Sequence, residues 1–374
     1  MSNTSNQAAW ITAKGQPLTV SAAPMPQPRV GEILVRSRAI ALNPFDGVVQ
    51  TLGSMVTPWV TYPAILGSDV AGEVVAVGAS VSRFKPGDRV LGLALGTDKL
   101  ANRAAEGAFQ KYVILRQEAT TALPDSVTFE QAAVLPLAVA TAACGLFRDD
   151  QLGLRVPSVE RSEPSGRTVL IWGGSTSVGS AAIQLAVAAG YEVVTTASPG
   201  NFEYVRGLGA SHVFDYKDAN VVEAIVKYFG SRDLAGALAI TAGSGALCID
   251  IMSRCQGRRI VSMASSPLPI DDAPLTKQFF WKLTHLPRLA AGFLGLAIQA
   301  RLRGVAIRSI WGTALMKDTL GKTIFNDFLG PALKSGRLVP APKPLVAGHS
   351  LEAIPEALAL LRRGVSARKV VVSL

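Results

Sequence analysis

The sequence predicts an α/β protein of two domains, one a partly open β-barrel and the other a doubly wound parallel sheet. Three observations predict it. A strand–turn–helix–strand unit spans 168–196, its turn rich in glycine and hydroxyl residues. Strand-like and helix-like runs then alternate to about residue 265, the pattern of parallel βαβ units. Before that unit, residues 8–140 hold short β-type runs punctuated by Pro and Gly turns.

The unit at 168 organises the chain. Thr168–Trp172 is an apolar run of β-formers between Gly166 and Gly173, which reads as a buried strand. From Ser180 to Ala189 the pattern becomes helical, with Ile183, Leu185, Ala186 and Val187 offering a small packing face. Between them lie Gly173, Gly174, Ser175, Thr176, Ser177 and Val178. A helix starting there presents unpaired N–H groups and a positive dipole end, which suits a pyrophosphate. Glycine lets the backbone approach that anion closely. The strict G-x-G-x-x-G is absent, since Thr176 stands where a middle glycine belongs, so the strand–turn–helix context carries the reading. The plain alternative is an ordinary βαβ crossover.

A second strand, Glu192 to Thr196, follows and continues into Ala197-Ser-Pro-Gly-Asn201 without a carboxylate. An acidic residue there would accept from a ribose 2′-OH and repel a 2′-phosphate. Ser198 and Asn201 can donate to that phosphate, and Tyr216, after a strand at His212–Phe214, can reach it too. NADPH is therefore expected over NADH, unless Ser198–Asn201 is only a turn. Thr241 and Ala264 follow further strands, at Gly236–Ile240 and Arg258–Met263. Because ligands of open parallel sheets bind beyond the strands' carboxyl ends, both are expected beside the cofactor.

Composition bounds the rest. The 374 residues suffice for two cores; 49% are hydrophobic and only 17% charged, a globular balance. A formal charge of +10 attracts anions, yet no Lys/Arg block interleaved with aromatics points to nucleic acid. Three cysteines, Cys144, Cys248 and Cys255, without C-x-x-C spacing argue for a reducing compartment, so a cytoplasmic location is expected. Neither a secretory signal nor a transmembrane span is evident: Leu289–Ala300 is too short to cross.

Along the chain, strand-like runs fall at 18–20, 33–39, 72–77, 89–93 and 109–115. Lys85-Pro-Gly-Asp88 is a turn in which Pro sets φ, Gly takes positive φ and Asp bonds locally. Thr128 and Gln131 have capping-box spacing at the head of a helical stretch from Phe129 to Phe147. Residues 149–166 read as a loop. Helices are expected at 323–336 and 351–364, and a terminal strand at 370–374 returning to the first domain. Residues 275–304 are unusual, with Phe279, Phe280, Trp281, Leu289, Phe293 and Leu296 among scattered Lys277, Lys282, Arg288, Arg301 and Arg303. The plain reading is an amphipathic helical insert packed on its own protein; a helical lid over an apolar substrate pocket, a dimer contact and a membrane-surface helix are also open there.

These motifs resemble a family. Ala41-Leu-Asn-Pro-Phe-Asp46, Leu66-Gly-Ser-Asp-Val-Ala-Gly-Glu73, Phe84-Lys-Pro-Gly-Asp-Arg-Val90, Leu135-Pro-Leu-Ala-Val-Ala-Thr-Ala-Ala143, the Gly173–Gly179 turn and Arg362-Arg-Gly-Val-Ser-Ala-Arg-Lys-Val-Val371 look like the medium-chain dehydrogenase/reductase superfamily. The subgroup most similar is the zinc-independent quinone and enoyl reductases, particularly fungal-type trans-acting enoyl reductases. The resemblance implies a GroES-like catalytic domain at 1–140 and 311–374. It also implies a Rossmann NADPH-binding domain at 141–310 with a helical insert at about 275–304.

By that alignment, the places that hold a catalytic zinc in alcohol dehydrogenases are Asn43, Ser68 and Leu137, and the four-cysteine lobe is missing, so no metal is expected. Hydride would then go to the β-carbon of an enone or enoyl thioester, or to a quinone, and the developing enolate would need donors. The Lys and Tyr of many relatives are replaced within Gly47–Gln50 and Leu52–Met55, leaving Asn43, Gln50 and Thr141 as polar catalytic candidates, with Tyr62 a lesser one. Small-molecule substrates are expected, a carrier-bound polyketide among them, with the protein a monomer or homodimer. An alcohol or carbonyl oxidoreductase, and a non-catalytic NADPH-binding partner protein, are the alternatives.

Overall fold

The structure is a computed structural model that describes residues 5–160, 162–270, 273–275 and 278–374. Lys277 lies outside the described residues, as do the side chains of Phe279 and Phe280. The chain divides into two compact units, residues 1–137, 271–281 and 321–374, and residues 138–270 and 282–320.

The first unit is β-rich. Its main sheet orders the strands Lys343–Gly348, Arg368–Ser373, Glu32–Ala41, Asp69–Val77, Arg89–Leu93 and Thr120–Ala122, with Tyr112–Arg116 also paired to Glu32–Ala41. The terminal strand runs antiparallel to Glu32–Ala41, Val371 opposite Ala41, as the sequence reading expects of the C-terminus. A smaller sheet joins Thr19–Ala23, Asn6–Ile11 and Ala64–Ile65. Both sheets bury an apolar core that includes Ile11, Ile33, Leu42, Leu66 and Phe109, all at 0% exposure. The Lys85–Asp88 turn is built as expected: Gly87 has φ +91° and Lys85 N donates to Asp88 Oδ2 at 2.9 Å.

The second unit contains a six-stranded, wholly parallel sheet. Its strands lie in the order His212–Asp215, Glu192–Ala197, Thr168–Trp172, Leu234–Ala239, Ile260–Met263, Ala306–Ser309. In chain rank that is 3-2-1-4-5-6, the order of a doubly wound dinucleotide-binding sheet. The order reverses beside Thr168–Trp172, so the crevice for a ligand opens at the end of this first strand. Trp172, Val194, Ile225, Phe229, Ile249 and Val261 belong to one buried cluster.

Two helices differ from their sequence reading in instructive ways. The first begins at Ser177, not Ser180, because Thr176 caps it: Gly179 N donates to Thr176 Oγ1 at 3.0 Å. The stretch at 275–304 forms one continuous helix, Gln278–Leu302, with Pro287 inside it. Among the described residues, Phe129–Phe147 is the stretch long and apolar enough to cross a membrane. It is 72% buried within the protein and consists of two helices, Phe129–Ala133 and Pro136–Phe147, which makes it core. Its capping box forms in both directions, Gln131 N to Thr128 Oγ1 and Thr128 N to Gln131 Oε1.

Candidate dinucleotide site and the buried cluster of the first unit

The turn after Thr168–Trp172 is shaped by bonds from its neighbours. Gly173 N donates to Thr196 Oγ1 at 3.0 Å and Gly174 N to Thr196 O at 2.9 Å, so the second strand's end holds the turn in place. Thr176 Oγ1 donates to Gly173 O at 2.8 Å while accepting from Gly179 N, closing the loop onto the helix start. A side chain at Gly179 would sit 2.2 Å from Gly173 O, so only glycine lets the helix approach this closely. Behind the turn, Ser180 Oγ lies 2.8 Å from Tyr204 Oη and donates to Gly174 O at 3.2 Å. Ser175, Thr176, Ser177 and Val178 form a half-buried rim over the first turn of the helix, whose N-terminal dipole end favours an anion. This cradle fits a pyrophosphate.

The strand register then places the residues expected around the adenosine. Ala197 stands opposite Asp215, so Ser198 and Tyr216 leave the sheet side by side at neighbouring carboxyl ends. Asn201 Nδ2 donates to Ser198 Oγ at 3.3 Å. Tyr216 is 44% exposed, and Lys217 Nζ lies 5.8 Å from its ring centroid. Asp215 turns one carboxylate oxygen to the backbone N–H of Lys217. The sequence reading passed over Lys217, although its place after the third strand was the signal. Thr241 packs against the turn, its Cγ2 3.1 Å from where a Gly173 Cβ would stand, and Ala264 N donates to Ala239 O. A cavity of about 230 Å³ opens by the ends of these strands, lined by Gly243, Met263, Pro267, Gly292, Leu296 and Gln299.

In the first unit Asn43 sits in a buried charged cluster. Its Nδ2 donates to Asp69 Oδ2 at 2.8 Å, and Lys369 Nζ donates to its Oδ1. Asp69, at 0% exposure, also takes Lys369 Nζ at 3.0 Å and Leu137 N at 2.6 Å. Asp46 accepts from Asn43 N at 2.8 Å. Burial, followed by the nearby Asp69 charge, pushes the Asp46 carboxyl up to about 7 against the pull of the Asn43 N–H and Lys369. Gln50 is held at both ends, Oε1 by Arg362 Nη2 at 2.8 Å and Nε2 on Gln16 O at 3.1 Å, so it clamps two chain segments. Thr141 belongs to the second unit, half-buried on the helix Pro136–Phe147. Sequence reading missed Asp69 and Lys369 as a pair, though both lie within motifs it singled out.

The three positions aligned with zinc ligands offer an amide, a hydroxyl and an aliphatic chain. The amide of Asn43 already holds an ammonium and a carboxylate. A cation beside the place of a second cation and a Leu for a ligand do not fit zinc. Among the described residues no group of three or more His, Cys, Asp or Glu could hold a metal ion.

A parallel sheet of this order, carrying a glycine turn at the head of its first crossover, defines a dinucleotide-binding oxidoreductase fold. The comparisons with known proteins agree. Residues 29–125 match the alcohol dehydrogenase GroES-like domain family and residues 177–255 the zinc-binding dehydrogenase family. The chain is 48% identical over 370 residues to the dehydrogenase pigH of Monascus ruber, covering 99% of each. It is 34% identical to the trans-enoyl reductase himH of Aspergillus japonicus, over 100% of this chain and 99% of that one. An alcohol dehydrogenase superfamily protein from Novosphingobium aromaticivorans superposes with a TM-score of 0.74 at 25% identity, covering 99% of each chain. The chain belongs to the medium-chain dehydrogenase/reductase superfamily and is an oxidoreductase of that type.

Proposed function

We propose that the protein is an NADPH-dependent reductase of activated alkenes or quinones that works without a metal. The observation that carries the cofactor choice is the register at the carboxyl ends of the second and third strands. It brings Ser198, Asn201 and Tyr216 to one place, with Lys217 against the tyrosine ring and no carboxylate ending the second strand. A hydroxyl, an amide, a phenol and an ammonium favour a 2′-phosphate, which a carboxylate would repel. Bound NADPH supplies a hydride.

The glycine turn, with the start of the following helix, would hold the pyrophosphate. Thr241 and Ala264, at neighbouring strand ends, would line the cofactor's nicotinamide end. On the substrate side, the hydroxyl of Thr141 is the donor we assign to a substrate carbonyl that would gain charge on reduction, while Asn43, committed to Asp69 and Lys369, acts as a positioning residue. Gln50 positions the chain around Arg362. The trans-enoyl reductase relative supports an enoyl thioester, carrier-bound or free, as the alkene.

The test is a turnover panel of enoyl thioesters, enones and quinones with NADPH and NADH, with and without a chelator, alongside titration of both cofactors. NADPH is expected to bind at least ~10-fold more tightly than NADH, and Lys217→Ala to shrink that ratio several-fold by lowering NADPH affinity alone. Activity should survive chelation. Equal affinity for the two cofactors, turnover that the chelator abolishes, or reduction only of simple ketones would overturn the respective part of this reading.

A further inference from the structure

The helix Gln278–Leu302 has an outer face that the protein does not cover. Leu296 and Ala300 are buried, at 6% and 3%, and anchor the helix to the second unit's core. On the opposite side, Leu283, Leu294 and Ile298 stand 62%, 63% and 49% exposed. Spacings of eleven and four residues put these three on one face, with the exposed Pro287 and Ala290 between them and Leu286 and Ala297 alongside. Soluble surfaces carry single exposed apolar side chains routinely; a stripe running four turns is a different matter.

The charges around the stripe are of one sign. From Gln278 to Gly304 the sequence holds Lys282, Arg288, Arg301 and Arg303 and no Asp or Glu. Arg303 is paired with Asp250. Arg288 and Arg301 are exposed and make no ion pair among the described residues. Arg301 lies on the line of the stripe at its C-terminal end, and Arg288 projects from the flank of the helix beyond Ile298. A second copy meeting this face through a two-fold axis would set these same cations against each other, which disfavours self-association. An aliphatic face rimmed by cations matches the acyl–headgroup boundary of an anionic bilayer, with the guanidiniums level with the lipid phosphates.

We infer that this helix docks the protein on an anionic lipid surface, lying in the plane of the interface with Leu283, Leu294 and Ile298 inserted. The site is separate from the cofactor site, and the inference stands whichever substrate the enzyme takes. Co-sedimentation of the full chain with vesicles tests it. Binding is expected to phosphatidylcholine vesicles containing about one-third phosphatidylserine, weakening as salt rises toward ~0.5 M, with little binding to phosphatidylcholine alone. Leu294→Glu with Ile298→Glu, both exposed positions, should lower partitioning at least ~10-fold with the melting temperature unchanged. Arg288→Ala with Arg301→Ala should reduce binding to the anionic vesicles only, and this pair serves if the first variant folds poorly. No association with anionic vesicles at low salt, or wild-type binding by both double variants, overturns the inference. So does a concentration-dependent dimer of the wild type that the Glu variant dissolves, because the face is then an interface between copies.

Discussion

The two units each carry a polar cluster, and the clusters use their hydrogen-bonding groups in opposite directions. At the Gly173–Gly179 turn, Thr176 and Thr196 spend their hydroxyls on shaping the loop at the positive end of the helix. Around Asn43, the polar groups face one another: Asp69 takes an ammonium, an amide N–H and a backbone N–H with no exposure to water. The first is shaped to receive an anion from outside, as proposed above. The second supplies its own cation. The difference implies that damage to the turn shows in ligand affinity, and damage to the Asn43 cluster shows in stability.

The sharpest way to break that comparison is Lys369→Met. Removing the ammonium leaves Asp69 charged and buried with two neutral donors, which costs about 3–5 kcal/mol. Denaturant unfolding should show the loss as a lower midpoint at unchanged slope. Replacing Asp69 by Leu in the same chain should recover much of it, since the buried charge is then gone. A loss under about 1 kcal/mol for Lys369→Met would mean that water reaches the pair and the cluster is open after all.

At the turn the expected effect is smaller and of another kind. Gly179→Ala puts a methyl 2.2 Å from Gly173 O, so the backbone must shift to accept it. A displacement of that sort costs about 1–3 kcal/mol, and its main reading should be a ~10–100-fold weaker NADPH affinity in a calorimetric titration. If affinity holds while the melting temperature falls, the turn is a structural crossover and the two clusters are alike.

The sequence foretold these two sites unequally, for physical reasons. The strand at Thr168–Trp172 is written in five consecutive buried side chains, and its turn in residues with special backbone needs; both signals are local. The parallel sheet, the capping box at Thr128 and the turn at Lys85–Asp88 were legible for the same reason. The strand Asn6–Ile11 was not, because Asn, Gln and two alanines carry little β-preference, and the sheet pairing that makes it a strand is tertiary. Ala306–Ser309 escaped likewise, a four-residue edge strand with a half-exposed pattern. The Asp69–Lys369 pair spans 300 residues, and no local spacing announces it. Lys217 was hidden by register, since its significance appears only when Ala197 is set opposite Asp215.

The smallest effect concerns Asp46, whose place in the cluster separates burial from pairing. Its carboxyl is pushed up to about 7, first by burial and then by Asp69, while the unfolded chain releases the same proton near ~4. Between those values the folded protein holds a proton that the unfolded chain has lost. The contribution is therefore fully present below about pH 4 and is lost as pH rises through about 7, at a slope of no more than ~1.4 kcal/mol per unit. Asp46→Asn keeps an oxygen to accept from Asn43 N but cannot titrate, so its stability should be flatter across that window. Urea unfolding of both proteins at several pH values from about 5 to 8 measures the difference between the slopes. Parallel profiles would show that Asp46 reaches solvent in the folded protein, and the cluster around Asn43 would then be closed only on its Asp69 side.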